Sequence, residues 1–284
     1  MTRHDYPATG AWFPGMPVGG RKFAHFPHDR PFALDGGKVL SSVSIAYESW
    51  GTLNEDATNA ILICHAWTGD SHVSGAAEEG NPTPGWWEGV VGPGKAIDTN
   101  KWFVVCSNVI GGCQGSTGPA TAHPEDGQLY GSRFPVITVR DMVRAQVRLT
   151  DMLGIRKWHS VVGGSMGGMQ VLEWAVTFPD RVTTIIPIAT CAQATAQQIA
   201  WGAIGRRAIR LDPKWRNGEY YDAATGEGPW EGLAIARMLS QVTFRSDNVF
   251  NERFGRALVD MDADYNGLGL WDRFEVEGYL DHHG

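Results

Sequence analysis

Short apolar runs recur along the first two thirds of the chain, with longer segments of helical periodicity between them. The runs are Ala60–Cys64, Trp102–Val105, His159–Val162 and Val182–Ile188. Runs of this length are typical of strands that helices cover on both faces. An earlier stretch, Lys38–Trp50, instead alternates apolar and polar residues, which predicts a half-buried antiparallel strand.

The segments between the runs predict amphipathic helices. One is expected over residues 138–155, because Thr138 can cap it with Asp141 three positions later, as in a capping box. Its apolar face is predicted to comprise Met142, Val143, Val147 and Met152. A second helix is expected over Met166–Phe178, where Pro179 ends it. Alternating strands and helices predict an α/β domain whose sheet is mostly parallel, and the early antiparallel strand makes the sheet mixed.

The pattern changes after about residue 190. Residues 1–35 form an irregular lead-in rich in proline and glycine, and residues 1–190 together are interpreted as the α/β core. Helices are predicted over 192–210 and 231–244, with further short helices after them. Residues 191–284 are therefore interpreted as a helical cap, or lid, over that core.

Composition narrows the class of protein. The 284 residues carry a formal net charge of -7, so a basic nucleic-acid surface is not expected. No apolar run is long enough for a transmembrane helix, and the N-terminus resembles neither a signal nor a transit peptide. Cys64 and Cys106 lie in apolar runs and are expected to be reduced core residues, and the dispersed histidines predict no metal site. A cytoplasmic location is the expectation.

The sharpest chemical signal is the pattern G-x-S-x-G within Gly163–Gly168, GGSMGG, between a predicted strand and a predicted helix. Such a turn forces its central residue into a strained conformation, and flanking glycines avoid clashes. Ser165 would then project above the sheet at a helix N-terminus, whose dipole favours negative charge. This arrangement predicts a serine nucleophile; the alternative is a glycine-rich turn with an idle serine.

A second segment, His65–Asp70, follows the apolar run that ends at Cys64. A serine-nucleophile site needs two backbone N–H donors for the oxyanion, one from the residue after the serine and one from a loop after an early strand. Those donors are predicted to be Met166 and Trp67. His65 is expected to shape this loop, because the base in this architecture follows the serine along the chain.

A third segment, Gly111–Pro119, could be interpreted as a phosphate-binding loop. It lacks the Gly-Lys-Ser/Thr sequence, and no predicted helix begins directly after it, which favours a tight loop beside the pocket. Cys113 is a further candidate nucleophile, although the sequence pairs no base with it.

Four motifs, HAWTGD, NVIGGCQGSTGP, YGSRFPVITVRDMVRAQ and GGSMGGMQVLEWA, resemble those of the homoserine O-acetyltransferases in order and spacing. The resemblance runs from about Phe32 to Tyr279. It implies the α/β-hydrolase fold with a mostly parallel sheet and a helical cap, a role in methionine biosynthesis, and a homodimer formed through cap helices. It also implies small-molecule substrates, L-homoserine and acetyl-CoA as co-substrate, and no permanently bound cofactor.

The resemblance further implies acyl transfer by a ping-pong route. Ser165 would attack the thioester of acetyl-CoA, the N–H groups of Trp67 and Met166 would hold the oxyanion, and homoserine would then attack the acetyl-enzyme. The family uses an arginine for the amino-acid carboxylate, and the matching position is Arg237; alternatively, this arginine extends to solvent or pairs within the cap. Arg245 fits less well.

A serine nucleophile of this type works in a catalytic triad with an acid, Asp or Glu, and a histidine base, in that order along the chain. The acid and the base have no matching positions here. Only His282 and His283 follow Ser165, and pairing His282 with Asp281 is rejected, because acid and base are expected on loops after two further core strands. No apolar strand run follows Ile188. The expectation is therefore that the C-terminal core strands are missing, that the cap is incomplete, and that this chain by itself is a poor catalyst.

Other functions stay open at this point. The same motifs suit a homoserine O-succinyltransferase or a serine O-acyltransferase. An esterase-type hydrolase would use the same serine with water as acceptor. A non-catalytic α/β scaffold is the alternative from a different class.

Overall fold

The computed structural model describes residues 6–259 and 274–284. The chain forms two compact units, of which the first is Gly10–Gln193 and the second joins Ala194–Gly284 with Met1–Thr9. In the second unit the backbone N–H of Gly226 donates to the carbonyl of Tyr6 at 2.7 Å, which ties the two chain segments together.

The first unit contains a mixed central sheet and two helices. The strands of this unit are β1 (Lys22–Phe26), β2 (Phe32–Ala33), β3 (Val39–Leu40), β4 (Val43–Trp50), β5 (Ala60–Cys64), β6 (Val91–Gly92), β7 (Ile97–Asp98), β8 (Phe103–Ser107), β9 (Trp158–Gly164) and β10 (Val182–Ile188). Within the described residues six of them form the central sheet, in the order β1-β4-β8-β5-β9-β10, while β2 pairs with β3 and β6 with β7. The helices of this unit are α1 (Val139–Met152) and α2 (Met166–Thr177), with 3₁₀ turns at Gly131–Arg133 and Pro179–Arg181.

The sheet confirms the predicted mixed, mostly parallel arrangement. Strand β4 is antiparallel to both β1 and β8, whereas β5 runs parallel to β8 and β9, and β9 runs parallel to β10. Alternate residues of β5 enter different apolar clusters: Leu62 packs with Trp158 and Trp174, while Ile61 and Ile63 pack with Val104. Both faces of β5 are therefore covered, as its continuous apolar run predicts.

Four predictions about the strands are wrong. Residues 1–35 are not wholly irregular, since they contain β1 and β2. The stretch Lys38–Trp50 is not one strand, because the chain bends between β3 and β4. Strand β4 is buried on both faces rather than half-buried, because Ile45 and Tyr47 enter an apolar cluster on one face while Ser71 and His72 contact Glu48 on the other. Strand β10, expected to be covered on both faces, is exposed over all but its first residue.

Helix α1 confirms the predicted capping box. The Thr138 hydroxyl accepts from the Asp141 backbone N–H at 3.2 Å, and the Asp141 carboxylate accepts from the Thr138 backbone N–H at 3.0 Å. The predicted apolar face is only partly correct: Val143 is buried, but Met152 is 46% exposed. Polar residues occupy much of the buried face because they hydrogen-bond there; they are Asp141, Gln146 and Thr150.

A buried polar contact fixes α1 against α2. The Gln146 amide donates to Gln170 Oε1 at 2.7 Å, and Gln146 Oε1 accepts from the Trp174 indole at 2.8 Å. Because these groups are buried, the bonds satisfy atoms that would otherwise be costly to desolvate. They also set the position of α2, which follows the Ser165 turn.

The second unit is helical. Its elements are α3 (Ala196–Leu211), α4 (Trp230–Thr243), α5 (Asp247–Arg253) and α6 (Glu275–His283), with a 3₁₀ turn at Pro213–Gly218. The first two agree with the predicted helices over 192–210 and 231–244. They approach closely because Gly232 faces the backbone of Ala208, where a Cβ atom would lie 2.6 Å from the carbonyl oxygen. The role of this unit as a cap stays a prediction.

Candidate active site

Ser165 lies in the sharp turn between β9 and α2, with backbone angles φ 55° and ψ −120°. Positive φ is strained for a residue with a side chain, so the surrounding contacts must hold it. The Ser165 N–H donates to the carbonyl of Ile188 at 3.0 Å, and its carbonyl accepts from the Thr190 hydroxyl at 2.8 Å. Its side chain is exposed. This is the geometry that the G-x-S-x-G pattern predicts.

Two glycines allow α2 to approach the sheet closely. A Cβ atom on Gly167 would overlap the carbonyl oxygen of Cys64, and one on Gly168 would lie 2.6 Å from Cβ of Thr190. Any larger residue would push the helix away from the ends of β5 and β10. The glycines after the serine thus keep the N-terminus of α2 beside the loop that follows β5.

Met166 is the first residue of α2. Its backbone N–H has no acceptor among the described residues, as is usual for the first turn of a helix. The helix dipole adds a partial positive charge at this end. The Met166 N–H is therefore available to an oxyanion formed at Ser165.

The loop after β5 begins beside the Ser165 turn. Strands β5 and β9 are parallel neighbours, with Cys64 opposite Gly163, so their carboxyl ends meet at one edge of the sheet. The loop turns tightly, since the Gly69 N–H donates to the carbonyl of Ala66 at 3.0 Å. Trp67 lies within this turn; its side chain is exposed, and its backbone N–H has no acceptor in the described part of the chain.

His65 is buried, and backbone groups occupy both of its ring nitrogens. Nδ1 lies 2.7 Å from the carbonyl oxygen of Ala66, and Nε2 accepts from the Val109 N–H at 3.1 Å. Burial lowers the pKa of His65, while the contact with Ala66 and the carboxylate of Asp70 act against that shift. A neutral ring with both nitrogens engaged cannot act as the base, in agreement with the expectation that His65 shapes the loop.

The segment 111–119 forms a tight loop. The Gly111 N–H donates to the carbonyl of Thr117 at 2.8 Å, and the Thr117 N–H donates to the carbonyl of Ser44 at 2.9 Å. One bond closes the loop and the other ties it to β4, so these two N–H groups are not available to a phosphate and the tight-loop interpretation fits better. Desolvation chiefly raises the pKa of the Cys113 thiol, which disfavours the thiolate that a cysteine nucleophile requires.

Comparison with known proteins agrees with this geometry. A profile of the α/β hydrolase fold matches residues 59–283. A homoserine O-acetyltransferase of Thermobifida fusca (strain YX) is 52% identical over 282 residues, which cover 99% of this chain and 72% of that protein. The chain belongs to the homoserine O-acetyltransferase family.

Solved structures place this family member among transferases and esterases. A homoserine O-acetyltransferase from Bacillus anthracis superposes with a TM-score of 0.79 at 30% identity, covering 92% of this chain and 71% of that one. Esterase E22 superposes with a TM-score of 0.78 at 31% identity and the same two coverages. The chain thus spans about seven tenths of the length of each of these relatives.

Arg237 lies on α4 in the second unit, whereas Ser165 and Trp67 belong to the first unit. Its side chain is exposed, and its Nε donates to the backbone carbonyl of His283 at 3.2 Å. Its terminal nitrogens meet no acceptor within residues 6–259 and 274–284. His282 and His283 are on α6 of the same unit.

Sequence reasoning missed a buried polar cluster behind the loop after β5. The Glu48 carboxylate lies 3.0 Å from Nδ1 of His72 and accepts from the Ser71 hydroxyl at 3.1 Å. Asn108, the residue directly after β8, accepts from the Ser71 backbone N–H through its side-chain oxygen. Glu48 offered a signal, since it is a charge within the buried strand β4. Thr190 was also missed, although it directly follows a strand that neighbours the serine turn.

Neither a metal site nor a membrane-spanning element was found in these ranges. The described residues contain no cluster of three or more potential metal ligands. None of the helices in the described part has the length and apolar composition that crossing a bilayer requires.

Proposed function

We propose that the protein is a homoserine O-acetyltransferase, which moves an acetyl group from acetyl-CoA to the hydroxyl of L-homoserine. One observation carries the proposal: Ser165 occupies a strained turn at the N-terminus of α2, in a chain that belongs to this family. The unbonded N–H groups of Met166 and Trp67 support it as the two oxyanion donors.

The reaction proceeds in two half-reactions. Ser165 Oγ attacks the thioester carbonyl, and the carbonyl oxygen gains negative charge beside the N–H groups of Met166 and Trp67. The carbon–sulfur bond breaks, the proton that the Ser165 hydroxyl gives up is transferred to the leaving sulfur so that coenzyme A departs as the thiol, and the acetyl group stays on Ser165 as an ester. The homoserine hydroxyl then attacks that ester, loses its proton, and regenerates the serine hydroxyl.

Arg237 is proposed to bind the substrate carboxylate. A guanidinium group can form two parallel hydrogen bonds to a carboxylate, which fixes its orientation as well as its charge. The exposed side chain and its unengaged terminal nitrogens support this role. We expect Arg237→Lys to raise KM for homoserine far more than it changes the first half-reaction with acetyl-CoA.

Acceptor dependence tests the proposal. Coenzyme A release from acetyl-CoA is measured with and without homoserine, and we expect homoserine to accelerate it, with O-acetylhomoserine as product, at a low absolute rate because no triad acid or base was matched to this chain. Ser165→Ala should abolish the homoserine-dependent part of this rate. A release rate that homoserine does not change would refute acetyl transfer. The interpretation that neither His282 nor His283 belongs to the triad would be overturned by one result. That result is robust acetyl transfer by the wild type, abolished by His282→Ala and His283→Ala.

A hydrolase is the second candidate, because esterase E22 has nearly the same TM-score as the acetyltransferase. In that case Ser165 is still acylated, but water accepts the acetyl group. Simple acetyl esters would then be hydrolysed at a rate that homoserine leaves unchanged. Absence of Ser165 labelling by a fluorophosphonate would instead favour a non-catalytic scaffold.

Finer assignments are proposed on the family relationship. Acetyl-CoA is proposed as donor in preference to succinyl-CoA, and homoserine as acceptor in preference to serine, in the pathway to methionine. Parallel assays with both donors and both acceptors decide these points. A homodimer, a cytoplasmic location and a cap role for residues 191–284 are proposed on the same ground, and sedimentation of the purified chain tests the first.

A further inference from the structure

The hydrogen bonds of His65 determine its tautomer. A carbonyl oxygen only accepts, so the 2.7 Å contact with Ala66 requires a proton on Nδ1. The backbone N–H of Val109 only donates, so its 3.1 Å contact requires a bare Nε2. The ring is therefore neutral, with its proton on Nδ1. The imidazolium form would direct an N–H group against the N–H of Val109.

The acceptor of this bond belongs to the peptide that carries a proposed oxyanion donor. The Ala66 carbonyl and the Trp67 N–H are parts of one peptide unit, which is planar and trans, since the described chain has no cis peptide bond. In a trans peptide these two groups point in opposite directions. A bond that holds the Ala66 oxygen toward His65 consequently aims the Trp67 N–H away from it.

We propose that His65 is a positioning residue that fixes the Ala66–Trp67 peptide plane, and so aims the Trp67 N–H at the oxyanion. The proposal rests on the proposed function, because it assumes that Trp67 is an oxyanion donor. The Gly69 N–H also bonds to the Ala66 oxygen at 3.0 Å, but it lies on the same short loop and moves with it. His65 instead anchors the loop to Val109, on the neighbouring segment after β8.

A second contact lies between the loop after β5 and the first turn of α2. The Gln170 side-chain amide lies 3.4 Å from the carbonyl oxygens of both His65 and Met166. Gln170 is fully buried and is held from behind by Gln146 at 2.7 Å. One buried amide therefore contacts both the residue that begins the loop and the first residue of α2.

Two substitutions separate the two hydrogen bonds of His65. In His65→Asn the amide nitrogen takes the place of Nδ1, which keeps a donor for the Ala66 oxygen and loses the acceptor for Val109. In His65→Gln the longer side chain places an oxygen near Nε2, which keeps the acceptor for Val109 and loses the donor. The two variants thus form a matched pair of similar polarity.

The first readout is nuclear magnetic resonance of the full chain. In the wild type at neutral pH, we expect the nitrogen shifts of a neutral His65 ring that is protonated on Nδ1. In His65→Asn the Trp67 amide signal should stay in place while that of Val109 moves, and in His65→Gln the reverse should hold. A wild-type ring protonated on Nε2 or on both nitrogens would overturn the proposal even if neither variant folds. Equal changes of both signals in both variants would also count against it.

The second readout is the kinetics of acetyl transfer. His65→Gln should lower kcat by about tenfold or more, since a misdirected oxyanion donor loses transition-state stabilisation, with KM little changed. His65→Asn should keep kcat within about threefold of the wild type. Equal kcat values in the two variants beside an active wild type would refute the positioning role. Coenzyme A release that neither homoserine nor Ser165→Ala changes, in a wild type whose His65 ring shows the expected tautomer, would instead count against the proposed function.

Discussion

Ser165 shows how local strain depends on its neighbours. A side chain at φ 55° costs on the order of 1–3 kcal/mol, and the structure sustains that cost through bonds from Ile188 and Thr190. Those bonds form only because Gly167 and Gly168 let α2 approach the sheet. The reactive residue and its glycines therefore act as one structural unit.

The glycines around Ser165 differ in how well they should tolerate substitution by alanine. Gly167→Ala should lower the free energy of unfolding by about 3 kcal/mol, because the new methyl group overlaps the Cys64 carbonyl. Gly164→Ala is the matched control: its Cβ would lie 3.9 Å from the carbonyl oxygen of Ile188, so a change within about 1 kcal/mol is expected. Urea denaturation of both variants checks this. Similar losses at both positions would contradict the close-approach argument.

Part of the site could be predicted from the sequence because its signal is local. The glycines around Ser165 and the strand before them predict the turn, and Met166 follows as a donor from adjacency alone. The tautomer of His65 could not be predicted in this way, since its partner Val109 lies 44 residues away. Gln170 was missed for a similar reason: its burial depends on α1, which supplies Gln146 from another part of the chain.

At the scale of elements, the beginning of α1 matters to the site. The capping box sets where the helix starts, and this start positions Gln146 against Gln170 in α2. Asp141 is fully buried within the box, where it also accepts from the Asp35 backbone N–H at 2.8 Å. A change at the cap is therefore expected to reach the helix that carries Met166.

The hydroxyl of Thr138 gives the prediction for this element. Thr138→Val should lower the free energy of unfolding by about 1 kcal/mol, because it removes the acceptor for the Asp141 N–H while keeping the side-chain shape. Thr138→Ser keeps the hydroxyl and should be close to the wild type. Thermal or chemical denaturation followed by circular dichroism measures both. If the serine variant is as unstable as the valine variant, the cap is not the cause.

Element types followed from periodicity, but burial often did not. Strand β5 confirms its continuous apolar run, since both its faces are covered. Strand β4 alternates in sequence but is buried on both faces, because Ser71 and His72 cover the face opposite the apolar cluster. The sequence pattern of α1 underestimates its buried polar residues, because their hydrogen-bond partners come from other elements.

At the scale of the whole molecule, the edge strand β10 is the exposed apolar feature of the first unit. No strand pairs with its outer edge among the described residues, and Ile185, Ile186 and Ile188 are each exposed by more than a third. An apolar strand with a free edge is a template for pairing with another chain. The isoleucines explain why the apolar run predicted a covered strand.

Self-association through this strand is the prediction at this scale. Ile186→Lys should reduce concentration-dependent association of the purified chain, because a charge on the edge opposes strand pairing. Val136→Lys is the control, since it adds the same charge at an isolated residue that is 85% exposed. Sedimentation velocity across a range of concentrations measures both. Association that both variants reduce equally would indicate an effect of net charge rather than of the edge.

The pairing of Cys64 in β5 with Gly163 in β9 also affects the order in which parts of the site form during folding. The two residues are separated by about 100 positions, and contacts between such distant segments form slowly because a long loop must first be closed. The turn at Ser165 is local and can form early. The loop that carries Trp67 comes to lie beside it only after β5 and β9 have paired. Catalytic competence should therefore appear late during refolding, after most helical signal has returned.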